Sequence, residues 1–167
     1  AELKLADIIN IGVEWMKDIT SPSKVKTDGE LNDNGDRKKQ IGSSGDYAKI
    51  GSSGYSAKIG SSGYSAKIGS SGYSAQIGSS GYYAQIGSSG YSAQIGSSGY
   101  YTQIGSSGDY AKIGSSGDYA KIDSTGEDSV IMCAGGNSKA KAKIGSWITL
   151  SEWEWSDEKK RDVPVCV

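Results

Sequence analysis

From Ile41 onward the chain repeats every nine residues, and it does so nine times without an insertion: IGSSGDYAK, IGSSGYSAK twice, IGSSGYSAQ, IGSSGYYAQ, IGSSGYSAQ, IGSSGYYTQ and IGSSGDYAK twice. A decayed tenth copy, IDSTGEDSV, opens at Ile122 and runs to Val130. A fixed short period is the signature of a repeat architecture, in which each unit is stable only against its neighbours. Within a unit, Gly-Ser-Ser-Gly reads as a turn whose glycines accept positive φ and whose serines bond nearby backbone. The remaining five residues, such as Tyr55-Ser56-Ala57-Lys58-Ile59, alternate. Ala57 and Ile59 point one way and Ser56 and Lys58 the other, the period of a short strand.

Nine residues are too few to close a coil around a core, but two units, eighteen residues, suffice for strand, turn, strand, turn. The expectation is therefore an all-β fold: a parallel β-solenoid of β-helix or β-roll type with two nonapeptides per coil. Nine copies and the decayed one make about five coils, or roughly 24 Å of stack at about 4.8 Å per strand spacing. Alanine and isoleucine fill a thin core, with Thr102 the one break in the alanine column. The period matches that of calcium-binding nonapeptide rolls, but the aspartate of that motif is replaced here by serine or tyrosine, for example Ser56. Calcium, other metals and cofactors are accordingly not expected.

Two units per coil sort the outward residues. Before each alanine, one side carries Tyr47, Ser65, Tyr83, Tyr101 and Tyr119, and the other Ser56, Ser74, Ser92 and Tyr110. After the second glycine stand Asp46, Asp109 and Asp118 near the ends and tyrosine between them. These sites should form rows of stacked phenols, as in-register parallel strands stack identical side chains. The candidate binding surface is the aromatic one, Tyr47, Tyr83, Tyr101 and Tyr119, with Tyr82 and Tyr100 at its corner. The next outward site is lysine toward both ends of the array and glutamine in the middle, from Lys49 and Lys58 to Lys112 and Lys121.

The flanks read as ends of the stack. Residues 1–21 contain an amphipathic stretch, with Leu5, Ile8, Ile9, Trp15, Met16 and Ile19 at helical spacing, expected to cap the first coil. Residues 22–40 are a polar linker or a degenerate first coil, and 41–131 are the solenoid. Residues 132–167 are expected to cap the other end. Ser138–Ile144 alternates lysine with alanine, a charged edge that discourages pairing with other sheets. Trp147–Trp155 reads as one strand, 157–162 as a charged turn and Val163–Val167 as a returning strand of a hairpin. Cys133 and Cys166 have no metal-ligand spacing. The chain starts at Ala1 and stops in mid-strand, so it reads as a fragment.

The tandem copies, the preceding IGVEWMKDIT and the following KIGSWITLSEWEWSDEK resemble a family of uncharacterised proteins encoded in Firmicutes and their phages or prophages. The resemblance covers nearly the whole chain. It implies a bacterial or phage origin and an array of variable copy number, and it carries over no functional residue.

The inventory narrows function. With no histidine and no phosphate-cradling loop, acid–base, triad and nucleotide chemistry lack their usual groups, so an enzyme is not expected. A formal charge of −1 argues against a strongly electrostatic nucleic-acid binder. No signal peptide and no apolar run of membrane-spanning length is present in the sequence. The leading expectation is a structural or assembly module, a rigid spacer or fibre unit whose partner is itself. The alternative is a protein- or glycan-binding module using the tyrosine-rich side, phage-encoded and directed at a host component. Weak single-stranded nucleic-acid binding ranks third.

Overall fold

The computed structural model of the protein describes residues 30–33 and 40–165. The expected capping helix at 1–21 and Cys166 lie outside the described residues. Sixteen four-residue strands follow in order: β1 (Glu30–Asp33), β2 (Gln40–Ser43), β3 (Lys49–Ser52), β4 (Lys58–Ser61), β5 (Lys67–Ser70), β6 (Gln76–Ser79), β7 (Gln85–Ser88), β8 (Gln94–Ser97), β9 (Gln103–Ser106), β10 (Lys112–Ser115), β11 (Lys121–Ser124), β12 (Val130–Cys133), β13 (Lys139–Ala142), β14 (Trp147–Leu150), β15 (Trp153–Ser156) and β16 (Arg161–Pro164). Odd strands β1 to β13 form one seven-stranded parallel sheet and even strands β2 to β14 the other. Ile68 pairs with Ile86, and Ile77 with Ile95, so each coil is eighteen residues. The fold is a parallel β-solenoid with two nonapeptides per coil.

The stack is taller than the repeat count suggests. Seven strands per sheet leave six spacings, or about 29 Å at about 4.8 Å each. The added height comes from both flanks. β1 pairs with β3, aligning Leu31 with Ile50. At the other end β13 and β14 extend the two sheets by Lys139–Ala142 and Trp147–Leu150.

Strand and turn are placed differently from the sequence reading. The strand is Lys/Gln-Ile-Gly-Ser, straddling the boundary between units, and the turn is Ser-Gly-Tyr-Ser/Tyr-Ala. The alternation simply runs on through the first Gly-Ser pair: in β4, Lys58 and Gly60 are exposed and Ile59 and Ser61 buried. Isoleucines of both sheets, the alanine column and a column of buried serines thus fill the interior. Where the serine hydroxyl lies near the corner it accepts the N–H of the glycine two residues on, as Ser88 Oγ does from Gly90 N at 3.4 Å. Thr102 fits the alanine column because its Oγ1 donates to Gly99 O at 2.6 Å and accepts from Ser97 Oγ at 3.0 Å.

The glycines also play a different part. The left-handed residue of most turns is the tyrosine or serine before the alanine column, with φ of 57° at Tyr47 and Tyr101 and 52° at Ser65. The second glycine is required by close approach instead. A Cβ on Gly90 would overlap the carbonyl oxygen of Gly72, and one on Gly108 that of Gly90. The first glycine faces outward, and a Cβ on Gly96 would meet nothing within 4 Å.

This asymmetry gives a paired prediction. Gly90→Ala should destabilise the array by about 1–3 kcal/mol, the usual cost of overpacking, whereas Gly96→Ala should stay within about 0.5 kcal/mol of the parent. Thermal melts of the two variants check it, and equal effects would contradict the assigned roles.

Candidate interaction surface

Because coils stack in register, every outward site becomes a column of residues eighteen apart. At one corner the column after the second glycine is Asp46, Tyr64, Tyr82, Tyr100, Asp118 and Gly136, and beside it runs Tyr47, Ser65, Tyr83, Tyr101, Tyr119 and Asn137. Tyr82 and Tyr100 stand 5.1 Å apart between ring centroids, and Tyr83 and Tyr101 lie 5.1 Å apart and 2° from parallel. Tyr101 stacks on Tyr119 at 4.8 Å. The two columns meet edge to face, Tyr100 on Tyr101 at 4.6 Å and Tyr64 on Tyr83 at 5.6 Å. Offset stacks and T-shaped contacts are the favoured aromatic geometries.

All six candidates, Tyr47, Tyr82, Tyr83, Tyr100, Tyr101 and Tyr119, therefore fall in one double ladder. They line the corner where the chain turns rather than the flat face of a sheet. Tyr64 belongs to the same ladder and was not among the candidates; counting in steps of eighteen finds it. Tyr47 is 68 % exposed, and even the more sheltered Tyr119 is 36 % exposed. The opposite corner carries a single ladder of Tyr55, Tyr73 and Tyr91, with centroid separations of 5.0 and 4.8 Å, and Tyr110 of the neighbouring column tilts against Tyr91 at 5.1 Å.

Aspartates finish the ladders. Asp46 Oδ1 accepts from Tyr64 N at 2.8 Å, Asp109 Oδ1 from Glu127 N at 2.7 Å and Asp118 Oδ1 from Gly136 N at 2.7 Å. Each satisfies a corner N–H of the next coil, a contact a phenol ring does not supply. On the flat faces, outward positions alternate lysine or glutamine with glycine. A row of amines and amides thus borders a shallow trough of bare backbone, running from Lys49 and Gly51 to Lys139 on one face. Near the end of the stack Lys143 pairs with Glu127 at 2.7 Å and Lys141 with Asp123 at 3.9 Å. Such exposed pairs contribute little to stability. Among the described residues no group of histidine, cysteine or carboxylate side chains is arranged to hold a metal ion, and no helix is long and apolar enough to cross a membrane. Burial raises the Cys133 thiol.

Crowding also shifts the phenols. Loss of solvent raises the Tyr100 hydroxyl to about 12, with the charges that Tyr119 and Tyr101 would acquire adding to it. Tyr64 and Tyr91 are raised for the same first reason. A folded value above the unfolded one, about 10 for tyrosine, means that the neutral phenol is favoured in the fold. That contribution is complete below about pH 10 and is lost as pH climbs toward the folded value. The melting temperature should accordingly fall between pH 10 and 12, and less steeply in Tyr100→Phe. Tyrosinate absorbance that rises as for free tyrosine, with no change in the melt, would contradict this.

Comparison with family models, with curated proteins and with solved structures gave no match to this chain.

Proposed function

We propose that this chain is a non-catalytic assembly module whose coils associate end to end with those of a second copy. The observation that carries the reading is the state of the last coil. β13 and β14 end their sheets, each bonded to a strand on one side only. The positions that are buried throughout the array are uncovered there: Ile148 is 40 % and Leu150 51 % exposed, with Trp147 at 72 % beside them. Ala140 and Ala142 are only partly buried against the core. Unpaired strand edges above an apolar floor are a template for further strands. The expected hairpin forms from β15 and β16 and bonds to the stack at the corner through Trp153, while Ile148 and Leu150 stay exposed. A head-to-tail contact builds open filaments unless its rotation closes a ring, and a contact between two like ends builds a dimer.

A second reading is favoured by the double tyrosine ladder. Rigid aromatic rings in a row make a preformed surface for a protein or glycan, since tyrosines deliver contact area at little entropic cost. In that reading the chain is a binding module, and the phage origin that the family resemblance implies would make its partner a component of a bacterial host.

Sedimentation across a wide concentration range separates the two. The parent should form dimers or longer species, and Ile148→Lys combined with Leu150→Lys should return it to monomer while leaving the fold intact. Tyr83→Ala combined with Tyr101→Ala should leave assembly unchanged. A parent that stays monomeric at the highest concentration would overturn the proposal and leave the tyrosine corner as the surface to pursue.

A further inference from the structure

The double ladder stops one step before the hairpin begins. In the sixth position of its two columns stand Gly136 and Asn137, where the coils below carry aspartate or tyrosine, with Ser65 the one exception. The chain then passes once more over this corner, with Ser151 N donating to Cys133 O at 2.9 Å. It places Trp153 above Gly136, and Trp153 Nε1 donates to Ala134 O at 2.9 Å. The ladder thus has a gap one side chain tall. A Cβ built on Gly136 would lie 3.6 Å from Asp118 Oδ1 and 3.9 Å from the Trp153 ring. The carboxylate and the indole therefore face each other across the space that a ring occupies elsewhere in the column.

This gap opens into a cleft of about 850 Å³ whose walls also include Tyr100, Tyr119, Glu152 and Asp162. No lysine or arginine is among its lining residues. Three carboxylates and three aromatic rings define the chemistry of the occupant. Charge complementarity favours a cation, because the cleft carries three carboxylates and no basic side chain. The occupant must also be flat, because it replaces a ring between stacked neighbours. A guanidinium meets both demands: it stacks on aromatic faces and donates in a planar fork to a carboxylate, whereas an ammonium is a compact and strongly hydrated point charge. One Asp118 oxygen is held by Gly136 N at 2.7 Å, which fixes the carboxylate for the ligand.

We infer that this cleft is a binding site for an arginine side chain presented by a peptide or protein segment. The cleft borders the end-to-end contact, sharing Leu150 with it but not Ile148.

The probe is an acetylated, amidated tripeptide with arginine in the middle, titrated calorimetrically into the full chain. Matching peptides carrying lysine or citrulline serve as controls. Saturable one-to-one binding is expected. The citrulline peptide should bind about tenfold or more weakly, as expected when a charged hydrogen bond is lost. Gly136→Tyr should abolish binding by completing the ladder; its Cβ makes only ordinary contacts, and circular dichroism checks that the fold persists. Glu152→Gln combined with Asp162→Asn, both exposed positions, should weaken binding whether or not Gly136→Tyr folds. Absence of saturable binding, equal binding of the lysine or citrulline peptide, or undiminished binding by folded Gly136→Tyr would each overturn the inference.

Discussion

Each strand of this protein is only four residues long, and what holds it is the backbone bonding to the coils above and below. The bonds persist through the corners: Ser62 N donates to Ser43 O at 3.0 Å, and Lys67 N to Ala48 O at 2.8 Å. Continuous bonding around a turn is possible only if successive coils follow the same path at strand spacing. That path brings the glycine column so close that no Cβ fits. It also forces the residue two places on into the left-handed region, a cost that the sequence bears at tyrosine and serine rather than avoiding with glycine. The interior is correspondingly narrow, built mainly of isoleucine, alanine and serine, and among the described residues no aromatic side chain is buried in it. Little apolar area is available per coil, so stability accumulates along the stack.

The same register turns small sequence choices into surface features. A tyrosine repeated every eighteen residues becomes a ladder; an aspartate becomes its terminator; a glycine becomes a gap. The two proposed readings draw on neighbouring parts of one scaffold. The assembly reading rests on the exposed floor at β13 and β14, the end strands of the two sheets. The recognition reading rests on the corner, where aromatic rings are held at fixed spacing and where Gly136 leaves an opening between Asp118 and Trp153.

Much of this was legible in the repeat itself. The eighteen-residue coil, the isoleucine and alanine columns and the stacking of Tyr82 with Tyr100 all follow from the nine-residue period and its alternation. The strand boundary was not, because Gly60 and Ser61 look like turn residues. In place, one is a bare outward position and the other a buried member of the same alternation. The role of Gly90 was hidden for a related reason: glycine signals both positive φ and close approach, and only the position of its neighbour in space distinguishes them. A degenerate first coil was one of two readings of residues 22–40, and β1 enters its sheet there by register; β14 was harder to foresee because Trp147–Leu150 lacks the repeat's residues. The cleft at Gly136 depends on Trp153 arriving above it from outside the repeat, which no period announces.

The pairing of residues eighteen apart is tested most directly with spin labels. In a background of Cys133→Ala and Cys166→Ser, cysteines are placed at Ser62 and Ser80, both exposed on neighbouring coils at one corner. A second pair is placed at Ser62 and Ser71, nine residues apart on opposite corners. The solenoid predicts strong dipolar broadening for the first pair, whose backbones lie about 5 Å apart, and none of that strength for the second. Broadening in the pair nine apart, or in neither pair, would contradict the two-repeat coil.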